Sequence, residues 1–401
     1  MAHSISVEEI KNPGKLVMPK ALALLLLAFT AVGLIAFVVG LKQDAHRAWA
    51  SFLVGHFFFF SLALGGLFFA AIQWVSGAMW SAPIRRVAES FTPYLGVALV
   101  TFLVISFGGM HDLYHWAHPD AVAHDPVLLG KSGYLNTGFF VVRNLVAFAI
   151  WIFFLVKLIG NSLKQDRSGD HRLTMTNRSW TPVFLILFAL TYTMSSFDLL
   201  MSLDPHWYST MYGVYTFAGL FYTTLAAVTV GSILLKRAGY LEGIVNANHL
   251  HDLGKFMFAF TVFWAYIGFS QFMLIWYANL PEETVWYLRR MDGGWLNFSI
   301  FLFVGKFVIP FFVLLPRSHK RSEGVLLATG IWMILMQFVD LYWLVQPEIF
   351  PAGPMISWME IVIPLGFLGV FGLMTLFFLS RQNVVAIGDP RLSEAVYHHH
   401  V

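Results

Sequence analysis

Ten apolar segments, each long enough to cross a bilayer, follow one another along this sequence and leave it little choice of fold. They run over roughly 16–41, 49–79, 92–115, 136–160, 180–203, 211–235, 254–279, 294–315, 324–346 and 355–380. About 20 residues of helix cross a hydrocarbon core of about 30 Å. With 58% of residues hydrophobic and 12% charged, the composition also lies far from that of a soluble globule. The sequence therefore predicts an all-α polytopic membrane protein of ten transmembrane helices, a single integral membrane domain over 1–401. The longest loops, 116–135, 161–179 and 236–253, leave no room for a soluble domain. The first segment far exceeds a signal-peptide core of about 7–15 residues, and no small-residue cleavage site follows it, so it reads as an uncleaved first helix.

The formal net charge of +3 gives no sign of nucleic-acid binding, because the basic residues sit in membrane-flanking loops. Cysteine is absent. That excludes disulfides, thiolate-held iron–sulfur clusters, covalent c-type haem and cysteine-ligated zinc. His398–His400 carry no assigned role. Lys and Arg are unevenly shared between the two sets of loops, 18 on the side holding both termini and 5 on the other. By the positive-inside rule both termini are expected in the cytoplasm.

An internal repeat is visible at an offset of four helices. Gly66-Leu67-Phe68-Phe69 in helix 2 matches Gly219-Leu220-Phe221-Tyr222 in helix 6, and Gly133-Tyr134-Leu135-Asn136 matches Gly294-Trp295-Leu296-Asn297. Asp198 lies seven residues before Pro205, and Asp340 seven before Pro347. Helices four apart point the same way, so the repeats are parallel. This predicts a first four-helix bundle over 49–203 (helices 2–5) and a second over 211–346 (helices 6–9), with helices 1 and 10 peripheral.

Ionisable residues inside spans face a bundle interior or water, because hydrocarbon penalises them. At 1.5 Å per residue, His56, His111, Asp112, Arg143 and Asp198 all fall in the outer third of the first bundle. The simplest pairing is Arg143 with Asp198, either as packing glue or as part of a hydrated site. A quinol headgroup needs hydrogen-bond partners at its oxygens and a base near neutral pKa, which histidine supplies. In the second bundle Lys306 and Asp340 read as an ion pair or a proton-path step, with Gln271 in the outer part of helix 7 and Glu360 reaching the interface from helix 10. His249, His251 and Asp252 read as a solvated cap. Trp49, Trp80, Trp180 and Trp295 fit interfacial belts. The outer loops 204–210 and 347–354, free of Lys and Arg, are expected to dock other subunits.

Ten spans, paired bundles and the stretch SSFDLLMSLDPHWYSTMYGVYTFAG (195–219) together resemble the polysulfide-reductase (NrfD-like) family of quinone-interacting membrane subunits. Within it the chain resembles the second ten-helix subunit of bacterial alternative complex III. The resemblance implies a subunit of a quinol:cytochrome c or quinol:high-potential-carrier oxidoreductase in the bacterial cytoplasmic (inner) membrane, with no redox centre of its own. It implies as partners a sister ten-helix quinol-binding subunit, a multihaem cytochrome c, an iron–sulfur subunit and a monohaem cytochrome c, with a terminal oxidase and lipids as further candidates. Haems c and iron–sulfur clusters would belong to those partners, and a quinone of menaquinone type is the candidate ligand. The seven residues His56, His111, Asp112, Arg143, Asp198, Lys306 and Asp340 are candidates for a quinone site or a proton path; no catalytic residue or metal ligand is assigned.

Two other functions fit parts of the pattern. Parallel repeats and midplane charges suit a secondary transporter, although the spans lack short Gly/Pro-broken half-helices. A b-type cytochrome would take His56 and His111 as axial ligands.

Overall fold

Apolar segments separated by capping residues become ten long helices in the computed structural model, which describes residues 12–398. They are α1 (Lys20–Gln43), α2 (Ala45–Ser76), α3 (Arg85–Leu113), α4 (Thr137–Ser168), α5 (Arg172–Leu203), α6 (Tyr212–Arg237), α7 (Ala247–Ala278), α8 (Trp295–Leu314), α9 (Glu323–Glu348) and α10 (Trp358–Arg381). All ten are long and apolar enough to cross a membrane. The protein is a multi-pass all-α membrane protein. Local chemistry sets many ends: Asp44 caps α2 through Arg47 N (3.1 Å) and Asn136 caps α4 through Phe139 N (2.9 Å). Capping boxes open α7 (Asn246 with His249) and α10 (Ser357 with Glu360).

No strand forms among the described residues. An isolated bridge between Lys15 and Asn383, with Leu16 N donating to Leu379 O (2.9 Å), ties the two ends of the chain together. Both ends therefore lie at one face, called here the terminal face; the other is the distal face.

Helices α2, α3, α4 and α5 pack in a closed ring, and so do α6, α7, α8 and α9. The two rings cover 45–203 and 212–348, close to the bundles expected from the repeat. α1 packs on α10, and both lean on α2 outside the rings. α2 is the most enclosed span, because α6 and α9 of the second ring also pack against it. The repeated segments meet where the rings join: Phe68 and Phe221 lie 5.0 Å apart in a T-shaped pair. There Gly65 admits Leu220 and Thr224 of α6, with no room for a Cβ.

At the α1–α10 crossing backbone meets backbone. A Cβ on Gly366 would stand 2.8 Å from Gly33 Cα. Gly366→Leu is therefore expected to part the two helices and to lower stability by about 1–3 kcal/mol, read as a reduced Tm of the purified protein in detergent. An unchanged Tm would show that this contact yields freely.

Several expectations from sequence need correction. Trp49 (5% exposed) and Trp295 (0%) are core residues, not members of an interfacial belt. Glu360 stays inside, pairing with Arg47 (Nε to Oε1, 2.5 Å) while it caps α10. His249 is buried, with Nε2 against Ala395 O (3.0 Å), and Asp252 pairs with His398 and Lys255. The C-terminal segment has folded over what reads as a solvated cap. The loop 161–179 is largely helical, because polar residues extend α4 and α5 past the apolar core instead of ending them. The distal connection 280–293 holds a surface helix, Pro281–Met291. His399 and His400 lie outside the described residues.

Three spans contain a π-helical turn, at 105–109, 155–159 and 304–308. In α8 the cause is visible: Pro310 cannot donate to the carbonyl of Lys306 four residues earlier. That carbonyl instead accepts from the Tyr222 hydroxyl (3.2 Å), and Gly305 O accepts from Trp332 Nε1 (2.7 Å).

Candidate functional site

Each ring holds a buried cation–carboxylate node between matching helices. In the first, Arg143 of α4 reaches Asp198 of α5 as a fork: Nη2 donates to Oδ1 (2.8 Å) and Nε to Oδ2 (3.1 Å). Asn144 Nδ2 adds a third donor at Oδ2 (2.9 Å), and Ser195 Oγ donates to Asn144 Oδ1 (2.8 Å). Arg143 Nη1 donates to Tyr134 O (2.7 Å), and the guanidinium lies 3.7 Å from the Tyr134 ring centroid. Asp198 is 0% exposed and Arg143 6%. Burial, followed by the nearby Asp198 charge, pushes the Tyr134 hydroxyl up to about 12 despite Arg143. Tyr134 therefore remains a neutral donor at this node. The pairing expected from depth alone is present.

In the second ring Lys306, carried on the π-turn of α8, donates to Asp340 Oδ2 (2.5 Å) and Gln337 Oε1 (2.6 Å), both on α9. Tyr215 of α6 donates its hydroxyl to Asp340 Oδ1 (2.5 Å). The Trp264 ring faces the ammonium at 4.4 Å. Lys306 is 0% exposed and Asp340 1%, so this charge pair is held by protein alone. A cation on α4 or α8 meets a carboxylate on α5 or α9, and an amide side chain shares the site in each. The cations differ in type and register, ten residues after Gly133 and twelve after Gly294.

The remaining candidates do not join these nodes. His56 is 0% exposed, hydrogen-bonded through Nδ1 to Thr101 Oγ1 (2.8 Å) and stacked on Phe60. Its Nε2 makes no hydrogen bond among the described residues. Thr101 and Tyr94 line an apolar crevice of about 240 Å³ between α1, α3 and α10. His111 is exposed at the distal rim, where its carbonyl is bonded to His118 Nε2 (2.8 Å). Asp112 lies 3.8 Å from His46. The five residues at one depth are thus three separate sites. Depth is one coordinate; α2, α3 and α4 turn these side chains in different directions. His56 packs inside against Thr101 and Phe60 while His111 is exposed beside His118, so the structure brings no axial-ligand pair together from them.

Sequence reasoning missed three participants and one cluster. Asn144, Gln337 and Tyr215 complete the nodes but look like ordinary span polars in the sequence. The cluster lies at the terminal face. Arg86 Nη1 donates to Glu89 Oε2 (2.5 Å) and its Nη2 to Asp166 Oδ2 (2.6 Å). Arg85 donates to Glu89 Oε1 (3.1 Å) and to Asp389 Oδ2 (2.5 Å). Burial pushes the Asp389 carboxyl up, but Arg85 and the Arg391 amide outweigh it and hold it below the usual carboxylate range. The only signal available was the RRxxE spacing at 85–89, which puts both arginines within one turn of Glu89.

The distal loop 204–210 also differs from expectation. Trp207 is buried, stacked on Trp286 at 4.6 Å with its Nε1 donating to Glu283 O (3.1 Å). The chain's own surface helix therefore covers it. Asp204 and Glu348 pair with Arg289 of that helix. Tyr208, 61% exposed, is the aromatic residue this loop leaves on the surface.

No protein-family model matches the chain, and no curated protein matches it.

Proposed function

We propose that this chain is the membrane subunit of a quinol-oxidising electron-transfer complex, in which its two buried nodes carry protons. The observation that carries this reading is the pair itself: Arg143–Asp198 and Lys306–Asp340, in matching helices of the two rings. Burying one carboxylate in hydrocarbon is costly, and a chain that does so twice at related positions holds titratable groups where proton movement would use them. Cysteine is absent, so iron–sulfur clusters and covalent haems would belong to partner subunits: a sister ten-helix subunit, multihaem and monohaem cytochromes c and an iron–sulfur protein. The 18-to-5 charge distribution supports a bacterial cytoplasmic membrane setting with both termini in the cytoplasm. A secondary transporter fits less well, because the π-turns widen the spans locally while the helices continue through them.

Asp340→Asn is the cleaner test. The amide oxygen can accept from Lys306 while the amide nitrogen donates to Tyr215, whose hydroxyl both donates and accepts. Asp198→Asn instead turns an N–H toward the Arg143 and Asn144 donors, so its turnover must be read per assembled complex. Both variants are expected to lower quinol-dependent cytochrome c reduction, or its coupled proton release, by about tenfold or more. Full turnover with unchanged proton release in well-assembled variants would reject the proton role.

A further inference from the structure

Two crevices follow one another along α5, where it packs on α6 and the rings meet. The first, of about 270 Å³, lies at the distal end of the span among Lys131, Tyr134, Phe197, Met201, Asp204 and Tyr208. The second, of about 170 Å³, lies deeper, where Ala189 and Thr193 of α5 share a wall with Val214 and Phe217 of α6 and Phe68 of α2. Ala189, Thr193, Phe197 and Met201 recur at every fourth residue, so they share one face of α5. The two crevices therefore align along one groove, which runs about 18 Å from Met201 to Ala189 at 1.5 Å per residue. That is close to one leaflet of a hydrocarbon core of about 30 Å. Ala189 is exposed, and Thr193, Phe197, Val214 and Phe217 are half-buried. The groove is thus open sideways, on the surface that hydrocarbon would cover.

Only the distal end of the groove is charged. Lys131 Nζ donates to Pro205 O (2.6 Å) and lies 5.4 Å from the Tyr208 ring centroid. An ammonium has three donors, and the carbonyl uses one. Asp204 lines the same crevice, near enough for its charge to act on Lys131. Its Oδ2 is held by Arg289 at 3.3 Å. Tyr208 offers an open ring at 61% exposure. The wall thus presents one cation, one carboxylate and an aromatic face at the depth where headgroups lie. An anionic headgroup would satisfy Lys131 and be repelled by Asp204. A headgroup carrying a phosphate and an ammonium satisfies both.

We propose that this groove binds one phospholipid of zwitterionic headgroup, with a phosphate and a primary ammonium as in phosphoethanolamine. The phosphate accepts from Lys131 Nζ, and the ammonium faces Asp204 and the Tyr208 ring. One acyl chain runs down the groove past Phe197, Thr193 and Ala189. It supplies the dispersion contacts that the apolar walls lack on their open side. The chain touches α5 of the first ring and α6 of the second, so the lipid ties the rings together along this seam. The two helices are already close there, since a Cβ on Gly213 would stand 2.5 Å from Thr193 Cγ2. The proposal concerns lipid binding alone and does not require that either node move protons.

The test is native mass spectrometry of the intact purified protein, titrated in detergent with dioleoyl-phosphatidylethanolamine or dioleoyl-phosphatidylglycerol. One phosphatidylethanolamine adduct is expected, at concentrations about tenfold below those at which phosphatidylglycerol binds. Lys131→Gln, which keeps a donor for Pro205 O, is expected to weaken this adduct about tenfold. Lys42→Gln makes the same charge change at the exposed distal end of α1 and should leave it unchanged. Asp204→Asn should turn the preference towards phosphatidylglycerol, because the carboxylate that repels it is gone. Ala189→Trp, on the exposed wall of the groove, should displace the acyl chain and remove the adduct. Adducts are compared on folded protein, and any one of the three groove variants decides if another fails to fold. Equal retention of both lipids, unchanged by the groove variants, would show an ordinary annular shell and overturn the assignment. A preference of the parent protein for phosphatidylglycerol would show an anionic-lipid site and overturn it equally.

Discussion

Replacing Arg86 by leucine is expected to destabilise the protein by about 3–5 kcal/mol, because a buried ion network then loses one of its two cations. Glu89, Asp166 and Asp389 would be left to share Arg85. Asp166 would keep only the Gly388 backbone N–H (3.0 Å), a weak substitute for a guanidinium at 2.6 Å. The network also fastens the C-terminal segment to α3 and α4, so the same variant should expose that segment to protease. The measurement is thermal unfolding of the purified protein with limited proteolysis alongside. Adding Asp166→Asn should recover a large part of the loss, since neighbouring charges couple and do not add. A single variant that melts with the parent protein would show the network to be idle.

Lys306→Leu should cost a similar amount, about 3–5 kcal/mol, by stranding Asp340 at 1% exposure with Tyr215 as its remaining partner. The informative comparison is Lys306→Leu with Asp340→Leu. Apolar side chains of similar volume can replace a buried pair at little or no loss. The double variant is therefore expected to regain stability and assemble. Stability and function then separate. A recovered double variant that still turns over poorly assigns the pair a proton role, and one with full turnover makes it packing glue. Failure of the double variant to regain stability would show that Gln337, Trp264 and Tyr222 depend on the ammonium itself.

The two expectations share a cause that bears on how this chain can be read. Ten helices, the parallel repeat and the two-ring division were legible in the linear pattern, because hydropathy and repeat offset vary along the chain. Capping residues such as Asp44, Asn136 and Ser357 act within a turn of themselves, and the structure brought them out. Depth placed Arg143 beside Asp198, since it is a distance along a helix axis. Depth alone also grouped His56 and His111 with Arg143, and there it failed. The rotation of each helix, set by which neighbours it packs against, sends those side chains to the α3 wall and the distal rim.

Whatever needs two coordinates at once belonged to the tertiary structure. Trp264 is an unremarkable span residue until α6, α8 and α9 close around it and bring its ring over the Lys306 ammonium. Trp207 reads as a docking residue until the helix 281–291 folds over it. Arg85 and Arg86 count as loop charges until Asp166 and Asp389, 80 and 304 residues away from their respective partners, arrive to neutralise them. Apolar length alone selects helices in a membrane, because hydrocarbon leaves the backbone no other partner. Which polar groups meet between those helices is decided by packing, since each buried charge must find its partner across an interface that no single helix contains.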